Sequence, residues 1–190
     1  MEETSVSIVT SNSPTDIQFG IWGILPHCYN KEWKYFQNFE NTLVTDLADV
    51  QEGHWLFESL RSRRCYVVIT GYFSYLLEGK NLKPIYANKK SEKLICLAGI
   101  YNQTEDGFIT FTLLSKKANP FQSKTSFAPI APIIMTKKER DFWVGNNELP
   151  NTYLNFLESI QSVFLNQYEV DPLIMGNGKK TMQMLDPFEK

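Results

Sequence analysis

Short apolar runs, separated by polar turns that contain Gly, Asn or Asp, fill the middle of the chain. Such runs are typical of strands in an antiparallel sheet or a barrel. The pattern predicts strands over five stretches of this region, residues 65–77, 83–87, 93–102, 108–115 and 130–135. Weaker patterns near the start of the chain predict a strand, a turn and a second strand, over residues 5–10, 11–14 and 16–25.

Helical spacing is confined to three shorter segments. Residues 53–63 place apolar side chains three and four positions apart, and the arginines of the last turn complement the negative end of the helix dipole. Thr136 and Glu139 form a capping-box pattern at the start of a helix over residues 137–144. An apolar stripe predicts another helix over residues 151–167. The elements together predict a strand-rich α+β fold.

The length of 190 residues, with 43% hydrophobic side chains, is typical of one globular domain. We expect that domain over residues 1–170, followed by a loosely ordered tail over 171–190. Residues 30–49 have no clean period and predict a loop with a short helical piece. Because no run of 18 apolar residues occurs and the start of the chain is acidic, we expect a soluble, cytoplasmic protein that does not associate with membranes.

Charge is segregated along the chain, although the net charge is only −2. Residues 1–60 carry two basic and nine acidic side chains, residues 61–140 carry 14 and five, and residues 141–190 carry three and seven. A basic block of this kind fits a polyanion such as nucleic acid, because Lys and Arg contacts to phosphates release counterions. A solvated surface of mixed charge is the alternative.

The three cysteines, Cys28, Cys65 and Cys96, form no close-spaced pair. Their spacing predicts neither a disulfide framework nor a zinc site, and the chain has only two histidines, His27 and His54. We therefore expect no metal and no cofactor. Cys65 and Cys96 lie inside apolar runs and are expected in the core.

Seven short motifs follow one another between residues 17 and 144. They are WGILP at 22–26, RRC at 63–65 leading to GYFSY at 71–75, KPIY at 83–86, LAGIY at 97–101, FTLLSKKAN at 111–119, PIIM at 132–135 and DFW at 141–143. In this order they resemble the SOS-response-associated peptidase (SRAP) family, whose members process abasic sites in single-stranded DNA. The resemblance implies a distorted β-barrel with flanking helices.

The chemistry that the resemblance implies starts from a cysteine at position 2, exposed as the N-terminus. Only an N-terminal cysteine carries a thiol and a free amine on adjacent carbons, so only it forms an imine with the abasic aldehyde and closes to a thiazolidine. Glu2 stands there in this chain. The family's glutamate and histidine, which assist proton transfer, are replaced by Ser74 and, near the second position, Ala128. No catalytic residue is therefore expected.

The resemblance also indicates a DNA-binding surface. Trp22 lies in a matched motif, and Asn41 is the best counterpart of the family's Asn-Ala-Arg-x-Glu motif, although Leu43 and Thr45 replace its arginine and glutamate. The basic residues expected at phosphates flank the matched motifs and are Arg61, Arg63, Arg64, Lys116, Lys117 and Lys124. The alternative for each of them is a solvated surface charge.

The sequence thus predicts a pseudoenzyme of the abasic-site DNA-processing family. It is expected to lack cross-linking and autoproteolytic activity and to retain non-specific binding to single-stranded DNA. The family's first segment is expected to be missing, because Trp22 lies close to the start of the chain. Two alternatives stay open: a protein-interaction module on the SRAP scaffold, and an active cross-linker whose true start is a Met-Cys sequence upstream.

Overall fold

A computed structural model describes residues 4–37, 42–78, 81–90, 93–117, 130–145, 148–161, 163 and 165–172. Its strands are β1 (Ser5–Thr10), β2 (Ser13–Trp22), β3 (Val44–Asp46), β4 (Arg64–Ile69), β5 (Gly71–Glu78), β6 (Asn81–Asn88), β7 (Ile95–Gln103), β8 (Ile109–Lys117), β9 (Ile130–Pro132), β10 (Ile134–Met135) and β11 (Asn166–Glu169). Its helices are α1 (Trp33–Gln37), α2 (Phe57–Ser62), α3 (Lys137–Gly145) and α4 (Pro150–Ser159), with a 3-10 turn at Leu47–Asp49. These elements confirm the predicted strand-rich α+β class.

The chain divides into two compact units, each built around its own sheet. The first unit comprises Met1–Val68, Cys96–Lys116 and Pro132–Gln161. The second unit comprises Ile69–Ile95, Lys117–Ala131 and Ser162–Lys190. The residues predicted to bind DNA are therefore distributed over both units.

The sheet of the first unit closes into a ring. Its strands follow the order β10-β7-β4-β1-β2-β8-β3, and β7 also pairs with β8. Strands β7, β4, β1, β2 and β8 consequently form the ring, while β10 and β3 lie outside it. Strands β2 and β3 run parallel to β8, whereas β1 is antiparallel to both β2 and β4. Closure leaves fewer free strand edges than an open sheet would have.

Strand β7 explains why the ring is tightly packed. Its residues from Ile95 to Asn102 are all buried, as expected of a continuous apolar run that is covered on both faces. Gly99 permits the close approach of β8, because a Cβ atom at this position would lie 2.8 Å from the carbonyl oxygen of Thr112. Cys65 and Cys96 are buried, as predicted.

Helices cover one side of the ring and complete its core. The core cluster joins Leu60 of α2, Trp143 of α3 and Tyr153 of α4 to Ile100 and Leu114 of the sheet. The predicted capping box opens α3: Thr136 N donates to Glu139 Oε2 at 2.6 Å, and Glu139 N donates to Thr136 Oγ1 at 3.5 Å. Helix α3 therefore begins where the sequence predicts.

The helix predicted over residues 151–167 is wrong in its second half. Helix α4 has Pro150 in its first turn and ends at Ser159, and Ile160 has extended backbone angles. Residues farther on form β11, which pairs with β6. An apolar stripe does not show where a helix ends when the residues that follow pair with a strand far away in sequence.

The second unit contains a three-stranded sheet in the order β11-β6-β5. Strands β5 and β6 form an antiparallel hairpin in which Gly71 pairs with Asn88 and Ser74 pairs with Ile85. The strand predicted over residues 65–77 is thus divided at Thr70 into β4 and β5. At the other edge, Lys83 Nζ and Glu169 Oε1 form an exposed ion pair at 3.1 Å.

Candidate functional site

Trp22 lies at the end of β2, next to the first described residue of the chain. Trp22 N donates to the carbonyl oxygen of Thr4 at 3.0 Å. Its indole Nε1 donates to the carbonyl oxygen of Leu43 at 2.8 Å. The first bond pairs the Trp22 backbone with residue 4, and the second fixes the half-buried ring against the segment that precedes β3. The arrangement provides an anchored aromatic surface at this end of the first unit.

Four of the predicted site positions lie outside the described residues. They are Glu2, Asn41, Lys124 and Ala128. The nearest described neighbour of Asn41 is Thr42, whose carbonyl oxygen accepts a hydrogen bond from Ile24 N at 2.9 Å. The residue that follows Asn41 is therefore hydrogen-bonded to Ile24, two positions from Trp22.

Arg63 belongs to a polar network at the end of α2. Its Nε donates to Asn102 Oδ1 at 2.8 Å, and its Nη2 donates to Ser59 Oγ at 3.2 Å. The buried Asn102 amide donates in turn to the carbonyl oxygen of Leu25 at 2.8 Å. The side chain is half-buried, so Arg63 has a structural role with one face towards solvent. Arg61, by contrast, is exposed.

Arg64 lies in the core and is only 3% exposed. Its Nε donates to the carbonyl oxygen of Trp143 at 2.8 Å, its Nη1 donates to the carbonyl oxygens of Leu60 and Arg61, and its guanidinium also contacts the Tyr153 ring. Burial lowers the pKa of Arg64, although an arginine remains protonated at neutral pH. These partners bind the guanidinium inside the first unit, away from any phosphate.

Lys116 is bound to the end of α4. Its Nζ donates to the carbonyl oxygens of Leu157, Glu158 and Ile160 at 2.9, 2.9 and 2.5 Å. A cation in this position satisfies carbonyl groups that the helix leaves without partners and complements its dipole. Burial lowers the pKa of the ammonium, while the nearby acidic side chains act in the opposite direction. The next residue, Lys117, is exposed.

Trp22 and the arginines at the junction of α2 and β4 lie at opposite ends of the β1–β2 hairpin. Ser5 pairs with Ile21 at the open end, and Thr10 pairs with Ser13 at the turn. The turn residue Ser11 donates its N–H to the carbonyl oxygen of Arg64 at 2.8 Å. Five residue steps along a strand span about 17 Å. The structure therefore does not bring Trp22 and these arginines into one cluster.

Ser74 lies in β5 of the second unit and is half-buried. Its backbone is paired with Ile85 of β6, and the following Tyr75 is 44% exposed. A serine hydroxyl does not titrate near neutral pH, so it cannot take part in the proton transfers of a carboxylate at this position.

The nucleophilic and metal-binding groups of the described residues are dispersed. Cys65 is fully buried and burial raises the pKa of its thiol, which keeps it in the unreactive form. Cys28 is exposed, as is His27, while His54 Nδ1 accepts a hydrogen bond from Leu56 N at 3.3 Å. The described part of the chain contains no group of His, Cys, Asp and Glu that could hold a metal ion. None of its helices is long and apolar enough to cross a membrane.

A groove of about 460 Å³ in the first unit was not predicted from the sequence. We call it the Trp33 groove. The segment 25–33 forms one wall and the turn at residues 104–108 forms the other. Tyr29 and Trp33, two aromatic residues in a polar stretch, were the available signal. Their partners are more than 70 positions farther along the chain, so the sequence alone could not connect the two walls.

Comparisons with known proteins identify the family. The model of the SOS response associated peptidase (SRAP) family matches residues 1–176. An abasic site processing protein of Saccharomyces cerevisiae is 29% identical over 113 residues, which are 59% of this chain and 30% of the yeast protein. The match therefore spans less than a third of that relative's length.

Solved structures share the fold. A Bacteroides thetaiotaomicron protein superimposes with a TM-score of 0.78 at 21% identity, covering 97% of this chain and 81% of that chain. A Bordetella bronchiseptica protein superimposes with a TM-score of 0.70 at 13% identity, covering 88% of this chain and 84% of that chain. Since the family model covers nearly the whole sequence, the chain belongs to the SRAP family.

Proposed function

We propose that this SRAP-family protein binds single-stranded DNA without forming a covalent link to it. The observation that carries the proposal is Ser74, which stands in a paired strand where the family motif has a glutamate. Its hydroxyl leaves the position without an acid or base that works near neutral pH. The alanine at position 128 agrees with the same loss, because its side chain cannot transfer a proton either.

The proposed binding surface includes Trp22. Aromatic side chains hold single strands without sequence preference, because every base has a face on which an aromatic ring can stack. The hydrogen bond from the Trp22 indole to the carbonyl oxygen of Leu43 holds the ring in place before DNA arrives.

The proposed affinity is low because few cations remain for phosphates. Arg64 and Lys116 are bound to carbonyl groups of the first unit, so we leave them out of the surface. The exposed Arg61 and the half-exposed Arg63 belong to the first unit, whereas the exposed Lys117 belongs to the second. Two phosphate contacts in the first unit predict a slope of about −1.4 in a plot of log affinity against log salt, since each contact to a single strand contributes about −0.7.

A titration of a fluorescein-labelled single-stranded oligonucleotide, followed by anisotropy at several salt concentrations, tests the binding. We expect a dissociation constant in the range of about 1–100 μM, as is usual for non-specific binding. Arg61→Ala should make the salt slope less negative by about 0.7. Lys90→Ala, which removes an exposed lysine from a turn that we do not assign to DNA, is the matched control. Binding that is absent at low salt, or equal slopes in both variants, contradicts the proposal.

A further inference from the structure

The Trp33 groove has walls that are fixed by backbone hydrogen bonds. Cys28 N donates to the carbonyl oxygen of Gln103 at 2.9 Å, and Glu105 N donates to the carbonyl oxygen of Tyr29 at 3.1 Å. The Tyr29 ring also packs edge-on against Phe36, with ring centres 5.9 Å apart. The groove is therefore preformed, and its volume of about 460 Å³ is in the range of ligand pockets.

Exposed apolar side chains continue from the groove along β2. Ile21 lines the groove, and Phe19 lies two residues earlier on the same face of the strand. Extending the register that pairs Ile21 with Thr110 aligns Phe19 with Phe108. These two phenylalanines are 73% and 59% exposed. Adjacent exposed aromatic side chains beside a preformed groove are typical of an interaction surface.

The charged side chains that line the groove favour a cationic ligand. Its lining contains the carboxylates of Glu105 and Asp106 and one ammonium, Lys31. Among the described residues Glu105 forms no ion pair, whereas Asp106 Oδ1 accepts a hydrogen bond from Thr104 Oγ1 at 2.6 Å. Tyr29 and Trp33 provide aromatic faces that attract a guanidinium or ammonium group.

The same charges argue against two other occupants. Nucleic acid would bring phosphates towards Glu105 and Asp106. A second copy of this chain, docked through the same face, would place like charges opposite each other, because a two-fold interface is self-complementary. An extended segment of a different protein, in which Arg or Lys alternates with apolar side chains, satisfies both the carboxylates and the phenylalanines.

We propose that the Trp33 groove, whose lining includes Phe108, and the adjoining Phe19 bind a basic, apolar peptide segment of a partner protein. The cation enters the groove beside Glu105 and faces Trp33. The apolar side chains of the peptide cover Phe19 and Phe108, which removes their surface from water. The site is separate from the surface proposed for DNA, because none of the DNA-binding positions lines the groove.

Amide chemical shifts of the ¹⁵N-labelled protein, recorded with an acetylated and amidated Leu-Arg-Phe-Arg-Leu peptide, test this inference. We expect shifts at Tyr29, Lys31 and Glu105 with up to about 1 mM peptide, which corresponds to weak binding. A Leu-Glu-Phe-Glu-Leu peptide should cause none of them. Glu105→Lys should weaken binding of the arginine peptide at least about tenfold, because it replaces attraction by repulsion.

Matched variants keep the result interpretable. Glu52→Lys makes the same charge change at an exposed position outside the groove and should leave peptide binding unchanged. Phe108→Ser should weaken binding without altering the charge. The inference is overturned if the acidic peptide binds equally well, if the shifts fall outside the groove, or if about 1 mM arginine peptide causes no shift. Arg61→Ala, the variant that tests DNA binding, should not affect the peptide, so the two proposals can fail independently.

Discussion

The guanidinium carbon of Arg64 lies 4.1 Å from the centre of the Tyr153 ring. The contact joins the start of β4 to helix α4, and the hydrogen bond from Arg64 Nε to the Trp143 carbonyl oxygen joins both to α3. An arginine within a basic motif thus links three elements of the core instead of pointing to solvent. Because Arg64 is buried, its substitution should lower the stability of the protein, whereas substitution of the exposed Arg61 should change DNA binding and leave the stability nearly unchanged.

Replacing Arg64 by methionine should destabilise the protein strongly. The substitution leaves the carbonyl groups of Leu60 and Trp143 without their donors and removes the contact with Tyr153. We expect the free energy of unfolding to fall by about 2–4 kcal/mol, measured by urea denaturation. Arg61→Met changes an exposed side chain and should stay within about 0.5 kcal/mol. An Arg64→Met protein of full stability would show that the buried contacts contribute nothing.

Lys116→Met should loosen the end of α4. The methionine keeps the apolar length of the side chain but donates nothing to the carbonyl oxygens of Leu157, Glu158 and Ile160. We expect a loss of about 1–2 kcal/mol in unfolding free energy and faster amide hydrogen exchange in the last turn of α4. The neighbouring Lys117→Met is the control and should leave the unfolding free energy unchanged. If Lys116→Met weakens DNA binding and leaves the unfolding free energy unchanged, Lys116 contacts DNA and not the carbonyl groups of α4.

Stability should decrease at alkaline pH because of Cys65. Burial raises the pKa of its thiol, so the unfolded chain loses this proton at a lower pH than the folded protein does. Above the ordinary thiol pKa the unfolded state therefore binds fewer protons, and the free energy of unfolding falls by up to about 1.4 kcal/mol per pH unit for this group. Urea denaturation between about pH 8 and 10 should show a smaller decrease for Cys65→Ala than for the wild type. Equal slopes would contradict the assignment.

Gly71→Ala should destabilise the second unit. A Cβ atom at this position would lie 2.5 Å from the carbonyl oxygen of Ala87, which the β5–β6 hairpin holds in place. We expect a loss of about 1–3 kcal/mol. Gly145→Ala is the control because no atom lies within 4 Å of its added Cβ, and it should be neutral or slightly stabilising. Thermal unfolding of both variants distinguishes a steric effect from a general effect of replacing glycine.

The sequence pattern correctly predicted those helices and strands that are determined by residues close together in the chain. The capping box at Thr136 and the apolar run of β7 depend on neighbouring residues, and both appear as expected. The three residues of β3 were missed because their strand identity comes from pairing with β8, almost 70 positions away. The end of α4 was misplaced because the partner of β11 is β6.

The candidate site was harder to predict than the fold. A basic residue carries no mark in sequence that tells whether it faces a phosphate or a carbonyl group. Arg64 and Lys116 find carbonyl partners 79 and up to 44 positions away, respectively. The Trp33 groove likewise joins two distant segments, and no motif in either segment indicates the other. Only the three-dimensional structure separates the exposed Arg61 and Lys117 from the buried members of the same basic block.

Whether the protein forms a covalent link to DNA is best tested by a denaturing gel of the protein after incubation with a single-stranded oligonucleotide that carries one abasic site. A short peptide that begins with cysteine, which carries a thiol and a free amine on adjacent carbons, serves as the positive control for the abasic aldehyde. We predict that the wild-type protein shifts the oligonucleotide on a native gel and leaves no adduct on the denaturing gel, whereas the peptide leaves one. A wild-type band that survives denaturation would show that the protein does form a covalent link to DNA and would contradict the proposed non-covalent binding.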